Sequence, residues 1–127
     1  MSVLVDTSIW IEYFRSGDQT EKLEYLLDEN LLVINDLILA ELVPSLKVHN
    51  QRKIIELLGS IINLILNIDW NQIIEFQYRC LRNGLIGIGI SDLILAQNAK
   101  QHNCEIYSLD NHFKLMKNIL KLKLLVQ

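Results

Sequence analysis

The chain carries a single proline, Pro44, and only five glycines in 127 residues. No Pro/Gly/Ser-rich stretch interrupts it, so a flexible linker has nowhere to sit, and no repeat of about 20 to 50 residues recurs to suggest a solenoid. Cysteine is scarce too. Cys80 and Cys104 lack metal-ligand spacing, which excludes a thiolate zinc site, and both are expected to pack as small hydrophobes. Long apolar runs are missing: the longest charge-free one, Leu57 to Ile68, includes Ser60, Asn63 and Asn67 and falls short of the about 18 residues that span a bilayer. The opening Met-Ser-Val-Leu-Val-Asp has no basic region or cleavage site of a secretory signal, so a cytoplasmic protein with no membrane partner is expected. A net charge of −3 argues against holding nucleic acid by bulk positive charge alone.

What is present is apolar residues, half of the chain, at a length near the commonest domain size. One domain over residues 1–127 is expected. Charge is unevenly spread: residues 1–63 balance at −5 and residues 64–127 at +2, and no acid follows Asp110. Lys114, Lys117 and Lys121 recur at helical spacing in that last stretch, which reads first as a solvated face.

The apolar pattern alternates between strand-like and helix-like segments. Ser2 to Val5, Leu31 to Ile34 and Glu105 to Tyr107 read as short strands, with Leu64 to Ile68 and Leu122 to Val126 as further candidates. Helices are expected after Thr7-Ser8, which could cap the first, over Glu21 to Glu29, from Leu37 with Asp36 as its cap, over residues 54–62, from Trp70 to Arg82, from Asp92 to His102 and over residues 111–120. Pro44 should kink or end the third of these. Arg15 to Thr20, with Ser16-Gly17-Asp18, and the stretch with Gly84, Gly87 and Gly89 read as loops. Strands alternating with helices imply a parallel sheet covered by helices on both faces.

Against this background four acids stand out, Asp6, Glu41, Asp92 and Asp110, each isolated in an apolar or weakly polar context. A lone carboxylate there loses hydration, so it needs a partner or a purpose. Asp6 closes the first strand and Asp110 lies just past the strand ending at Tyr107, so both can face the carboxyl edge of the sheet, where ligands of open α/β sheets bind. Asp92 falls in the first turn of a helix, where the macrodipole favours negative charge. Glu41 lies inside an otherwise apolar helical stretch. Oxygen-only ligands select hard cations, Mg²⁺ or Mn²⁺, and such an ion can polarise a phosphodiester and activate water. Taken singly, each acid could serve as a cap, a turn former or a solvent-facing residue; jointly, four such coincidences are required. His49, His102 and His112 have no paired spacing and read as surface residues. Trp10, Trp70 and the tyrosines read as core or rim rather than stacking platforms for bases.

Val5-Asp6-Thr7-Ser8, Ala40-Glu41-Leu42, Gly89-Ile90-Ser91-Asp92-Leu93-Ile94-Leu95-Ala96 and Ser108-Leu109-Asp110-Asn111-His112-Phe113, in this order, resemble PIN-domain ribonucleases of the VapC toxin type along the whole chain. The resemblance implies a three-layer α/β/α sandwich with a central, mainly parallel sheet of four to five strands. It implies a Mg²⁺- or Mn²⁺-dependent endoribonuclease with Asp6, Glu41, Asp92 and Asp110 as catalytic and metal-binding acids, Asp6 and Asp92 foremost. Thr7, Ser8 and Ser108 would support the first carboxylate or the substrate phosphate; Ser108 stands where the family often has Thr, which keeps the hydroxyl. It also implies an RNA substrate, a small antitoxin that blocks the site, and a homodimer, for which the apolar residues 54–66 are one candidate surface. Two competing readings are an aspartyl-phosphate phosphatase, which wants a second Asp where Ser8 stands, and a PIN-like module that binds RNA or protein without cleaving.

Overall fold

The computed structural model of the chain describes residues 1–15, 17 and 20–125. The expected turn residues Ser16 and Asp18 and the end of the expected last strand, Val126, lie outside them. Four strands, β1 (Val3–Val5), β2 (Leu32–Ile34), β3 (Ile62–Asn63) and β4 (Glu105–Tyr107), form one all-parallel sheet in the order β3-β2-β1-β4. Among the described residues the helices are α1 (Thr7–Arg15), α2 (Thr20–Asp28), α3 (Asp36–Val48), α4 (Arg52–Ser60), α5 (Trp70–Arg82), α6 (Ile90–Gln101) and α7 (Asn111–Leu120), the last of them following β4.

Every residue of β1 and β2 is buried, and β4 buries Ile106 and Tyr107, so side chains on both faces of the sheet are covered. That pattern belongs to a parallel sheet packed between helix layers. The helices fall into two packed groups, α1 with α3 and α4, and α5 with α6 and α7. Trp10, Leu4, Ile34, Leu58, Leu93, Ile106 and Phe113, each at most 1% exposed, belong to the core between the layers. Cys80 and Cys104 are buried and free, in keeping with a packing role.

Helix ends follow local chemistry. Asn35, Asp69 and Asp110 cap α3, α5 and α7, their side chains accepting from the N–H groups of Ile38, Gln72 and His112. The cap of α3 is therefore Asn35 rather than the expected Asp36, which occupies the first helical turn and accepts instead from Asn63 Nδ2 at 2.9 Å. Pro44 sits inside α3 without ending it; the helix runs on to Val48.

Two expected strands differ from the structure. Leu64 to Ile68 is not a strand: β3 is the shorter Ile62–Asn63 just before it, and only Leu64 extends the ladder, donating to Ile34 O at 2.7 Å. Beyond it the side chain of α6 residue Asn98 donates to Ile65 O and that of Gln101 to Asn67 O, while Gln97 accepts from Asp69 N–H. Side chains thus satisfy the backbone that a neighbouring strand would otherwise pair. At the C-terminal end, Leu124 forms one parallel bridge with Ile106, held by Ile106 N–H to Lys123 O and Leu125 N–H to Ile106 O, so among the described residues the expected fifth strand is a single rung.

In the sheet order, β2 lies on one side of β1 and β4 on the other. The crevice at the carboxyl ends of β1 and β4 is the switch point where ligands of such sheets bind. Asp6 and Ser108 are the first residues past these two strands.

Candidate active site

Asp6 sits where β1 becomes α1. Its N–H donates to Tyr107 O at 2.9 Å, extending the sheet by one residue, and its carbonyl accepts from Ile9 N–H at 3.1 Å, opening the helix. The side chain is held as firmly as the backbone. Oδ2 accepts hydroxyl hydrogen bonds from Ser8 at 2.9 Å and Ser108 at 2.7 Å, and Asp6 is only 8% exposed. Those hydroxyls in turn accept from Leu109 N–H at 3.0 Å and Asp110 N–H at 2.9 Å. Two backbone dipoles are thereby relayed through two serines onto one carboxylate oxygen, and each link polarises the next.

Thr7 and Ser8 were candidates for helix caps, but α1 begins at Thr7 and both hydroxyls point elsewhere. Thr7 Oγ1 donates to Glu41 Oε1 at 3.2 Å, joining α1 to the middle of α3. Glu41 keeps an opening to solvent. Even so, the surrounding protein strips enough water to push its carboxyl above the ordinary range, partly offset by the Thr7 hydrogen bond and reinforced by the charges of Asp6 and Asp92.

Asp92 lies in the first turn of α6 with its side chain 22% exposed. Burial pushes its carboxyl up; the hydrogen bond from His112 opposes this, and the charges of Asp110 and Asp6 add to it. Asp110, the cap of α7, accepts from His112 N–H through Oδ1 at 2.9 Å. The same cap brings the His112 ring into the cluster, with Nδ1 at 3.2 Å from Asp92 Oδ2 and 3.5 Å from Asp110 Oδ1.

The structure therefore brings Asp6, Glu41, Asp92 and Asp110 into one electrostatically coupled group at the carboxyl edge of the sheet. Within it, the ligand atoms of Asp92, Asp110 and His112 all lie within 4.8 Å of one another, while Asp6 and Glu41 stand outside that tighter set. Among the described residues, no hydrogen bond reaches Asp6 Oδ1, Glu41 Oε2, Asp92 Oδ1 or Asp110 Oδ2. Each carboxylate keeps one oxygen for another partner. That donor set fits a hard divalent cation.

Composition and spacing did not single out two residues that the structure places at or behind this cluster. His112 was read as a surface residue; the signal that could have found it is its position two residues past a helix-capping acid, which puts backbone N–H and ring on the same carboxylate. Asn35 is fully buried, caps the helix that bears Glu41, and donates through Nδ2 at 2.9 Å to Asn98 on the helix that bears Asp92. Nothing in its sequence context separates it from an ordinary turn asparagine.

The model of the PIN domain family matches residues 3–119, so the chain belongs to the PIN domain family. Among solved structures it is similar to a chain of VapBC2 from Rickettsia felis bound to a DNA fragment from the promoter, with 25% identity, 98% of each chain covered and a TM-score of 0.78. It is also similar to a chain of VapBC-1 from nontypeable Haemophilus influenzae, at 22% identity over 98% of this chain and 97% of that one, with a TM-score of 0.76. FitAcB from Neisseria gonorrhoeae shares the fold at 17% identity, with coverage of 98% and 96% and a TM-score of 0.73. No curated protein sequence matches the chain.

Proposed function

We propose that this PIN domain, acting as one unit over residues 1–127, is a Mg²⁺- or Mn²⁺-dependent endoribonuclease and the toxin of a toxin–antitoxin pair in the cytoplasm. The observation that carries the reading is the convergence of four carboxylates, each with one oxygen unengaged, beside the switch point of a parallel sheet. Asp6, Glu41, Asp92 and Asp110 would hold the ion, which when bound supplies Lewis acidity toward the phosphodiester and lowers the pKa of water. Ser8 and Ser108 fix the Asp6 carboxylate, and Thr7 fixes Glu41. Glu41, exposed and with its carboxyl displaced upward, is the acid suited to accept the proton of an attacking water.

A groove of about 570 Å³ supports the antitoxin reading. Ile11, Phe14, Leu42, Leu46 and Ile54 line it, and Glu41 lies at its wall, so a peptide seated there reaches Glu41. The solved neighbours include toxin–antitoxin complexes. For the homodimer, residues 54–66 bury Leu58 but leave Ile62 and Ile65 exposed, and the exposed stripe of Trp70, Ile74, Tyr78 and Leu81 along α5 is a second, longer apolar surface that supports it.

The test is incubation of the purified chain with single-stranded and stem-loop RNA in Mn²⁺ or Mg²⁺, with calorimetry of ion binding. Cleavage that a chelator stops and Asp92→Asn removes is expected. Intact RNA under every condition, with neither ion bound, would sink the enzyme reading.

A further inference from the structure

We infer that His112 is itself a ligand of the ion, through Nδ1, and that it makes the site select a first-row transition ion such as Mn²⁺ over Mg²⁺. The inference rests on the metal-dependent reading above and specifies its cofactor. Three observations carry it. The ring nitrogen and one oxygen each of Asp92 and Asp110 lie within 4.8 Å of one another, a spacing that one ion can share. Asp110 caps α7 through the His112 N–H at 2.9 Å, which fixes the backbone beneath the ring, and the ring Nδ1 lies 3.2 Å from Asp92 Oδ2 and 3.5 Å from Asp110 Oδ1. The His112 side chain is 39% exposed, so it is not a core residue whose packing would account for its orientation.

The donor chemistry then decides the ion. Mg²⁺ takes oxygen ligands in near-ideal octahedral geometry and gives up its waters reluctantly. Imidazole is a favoured ligand of transition metals, and histidine is their commonest protein ligand. Compared with an all-carboxylate site, one in which an imidazole joins the carboxylates therefore shifts the preference away from Mg²⁺ and toward a first-row transition ion such as Mn²⁺. Without an ion, the same ring hydrogen-bonds to Asp92 at 3.2 Å, and that contact is what metal loading would replace.

The test is pulsed electron paramagnetic resonance of the wild-type chain loaded with Mn²⁺, which reads nitrogen hyperfine coupling from a directly bound ring. Calorimetry of Mn²⁺ and Mg²⁺ binding accompanies it for wild type and His112→Ala. A nitrogen coupling lost in His112→Ala is expected, together with a fall of about tenfold or more in the Mn²⁺-to-Mg²⁺ affinity ratio. Mn²⁺ bound by the wild type without nitrogen coupling overturns the inference, as does an unchanged ratio in a His112→Ala chain whose circular dichroism melt shows it folded. The wild-type spectrum needs no variant to fold. RNA cleavage with bound Mn²⁺ but no nitrogen coupling defeats the role of His112 alone, whereas failure to bind either ion defeats the nuclease reading with it.

Discussion

Asp6 and Asp92 carry the same side chain at the same edge of the sheet, yet their surroundings are opposite. Asp6 receives two hydroxyl hydrogen bonds, each backed by a backbone N–H, whereas Asp92 has His112 as its hydrogen-bond partner and faces the charges of Asp110 and Asp6. One carboxylate is built into the fold. The other is held against its own desolvation. If charge repulsion were the only force in the cluster, removing either charge would leave the metal-free protein as stable or more so; the two serines break that symmetry.

The largest expected effects come from the acids themselves. Asp92→Asn and Asp6→Asn should each lower RNA cleavage by at least about a hundredfold. Their thermal melts in metal-free buffer should diverge: Asp92→Asn equal to wild type or higher, Asp6→Asn lower by about 1 to 3 kcal/mol, since it weakens two charge-assisted hydrogen bonds at a buried position. Equal shifts in the two melts would erase the distinction.

A smaller effect separates the serines from the ring. Ser108→Ala should cost about 1 kcal/mol of stability, because it removes a donor to Asp6 and the acceptor for Asp110 N–H together. His112→Ala, half exposed, should leave the melt within about 0.5 kcal/mol. Denaturant titrations of the two variants read this directly.

The smallest effect is in pH. The Asp92 carboxyl is raised in the folded protein, chiefly by desolvation, so the native state holds that proton more tightly than the unfolded chain does. Its contribution to stability is fully present below the ordinary carboxylate range and is lost as pH rises through the raised folded value. Glu41 acts in the same direction. In metal-free buffer the stability of Asp92→Asn relative to wild type should therefore grow between the carboxylate range and pH 7, and the two should converge on acidification. A gap that widens on acidification would show that the shift has the opposite sign.

Much of the fold was legible because its elements are short and strongly patterned. The helices Trp70–Arg82 and Asn111–Leu120 and the strand Glu105–Tyr107 begin and end where capping residues and apolar period say they should. Leu64 to Ile68 misled for a definite reason: its apolar run looks like a strand, but its backbone is satisfied by Asn98 and Gln101 reaching across from α6, and side-chain donors on a distant helix leave no local trace. The Asp36 expectation failed on a one-residue choice between two good caps, which burial decided in favour of Asn35.

The amino-acid sequence by itself determined the alternation of strands and helices and the four acids that stand isolated within it, because periodicity, capping and the cost of a lone carboxylate are local properties. The distribution of roles among those acids was decided by the tertiary structure. Residues 102 positions apart, Asp6 and Ser108, share a hydrogen bond, and the cap of α7 swings His112 toward an acid 20 positions earlier. Hydrogen bonding and desolvation act through space, and only the packed sheet and helices set which distances are short.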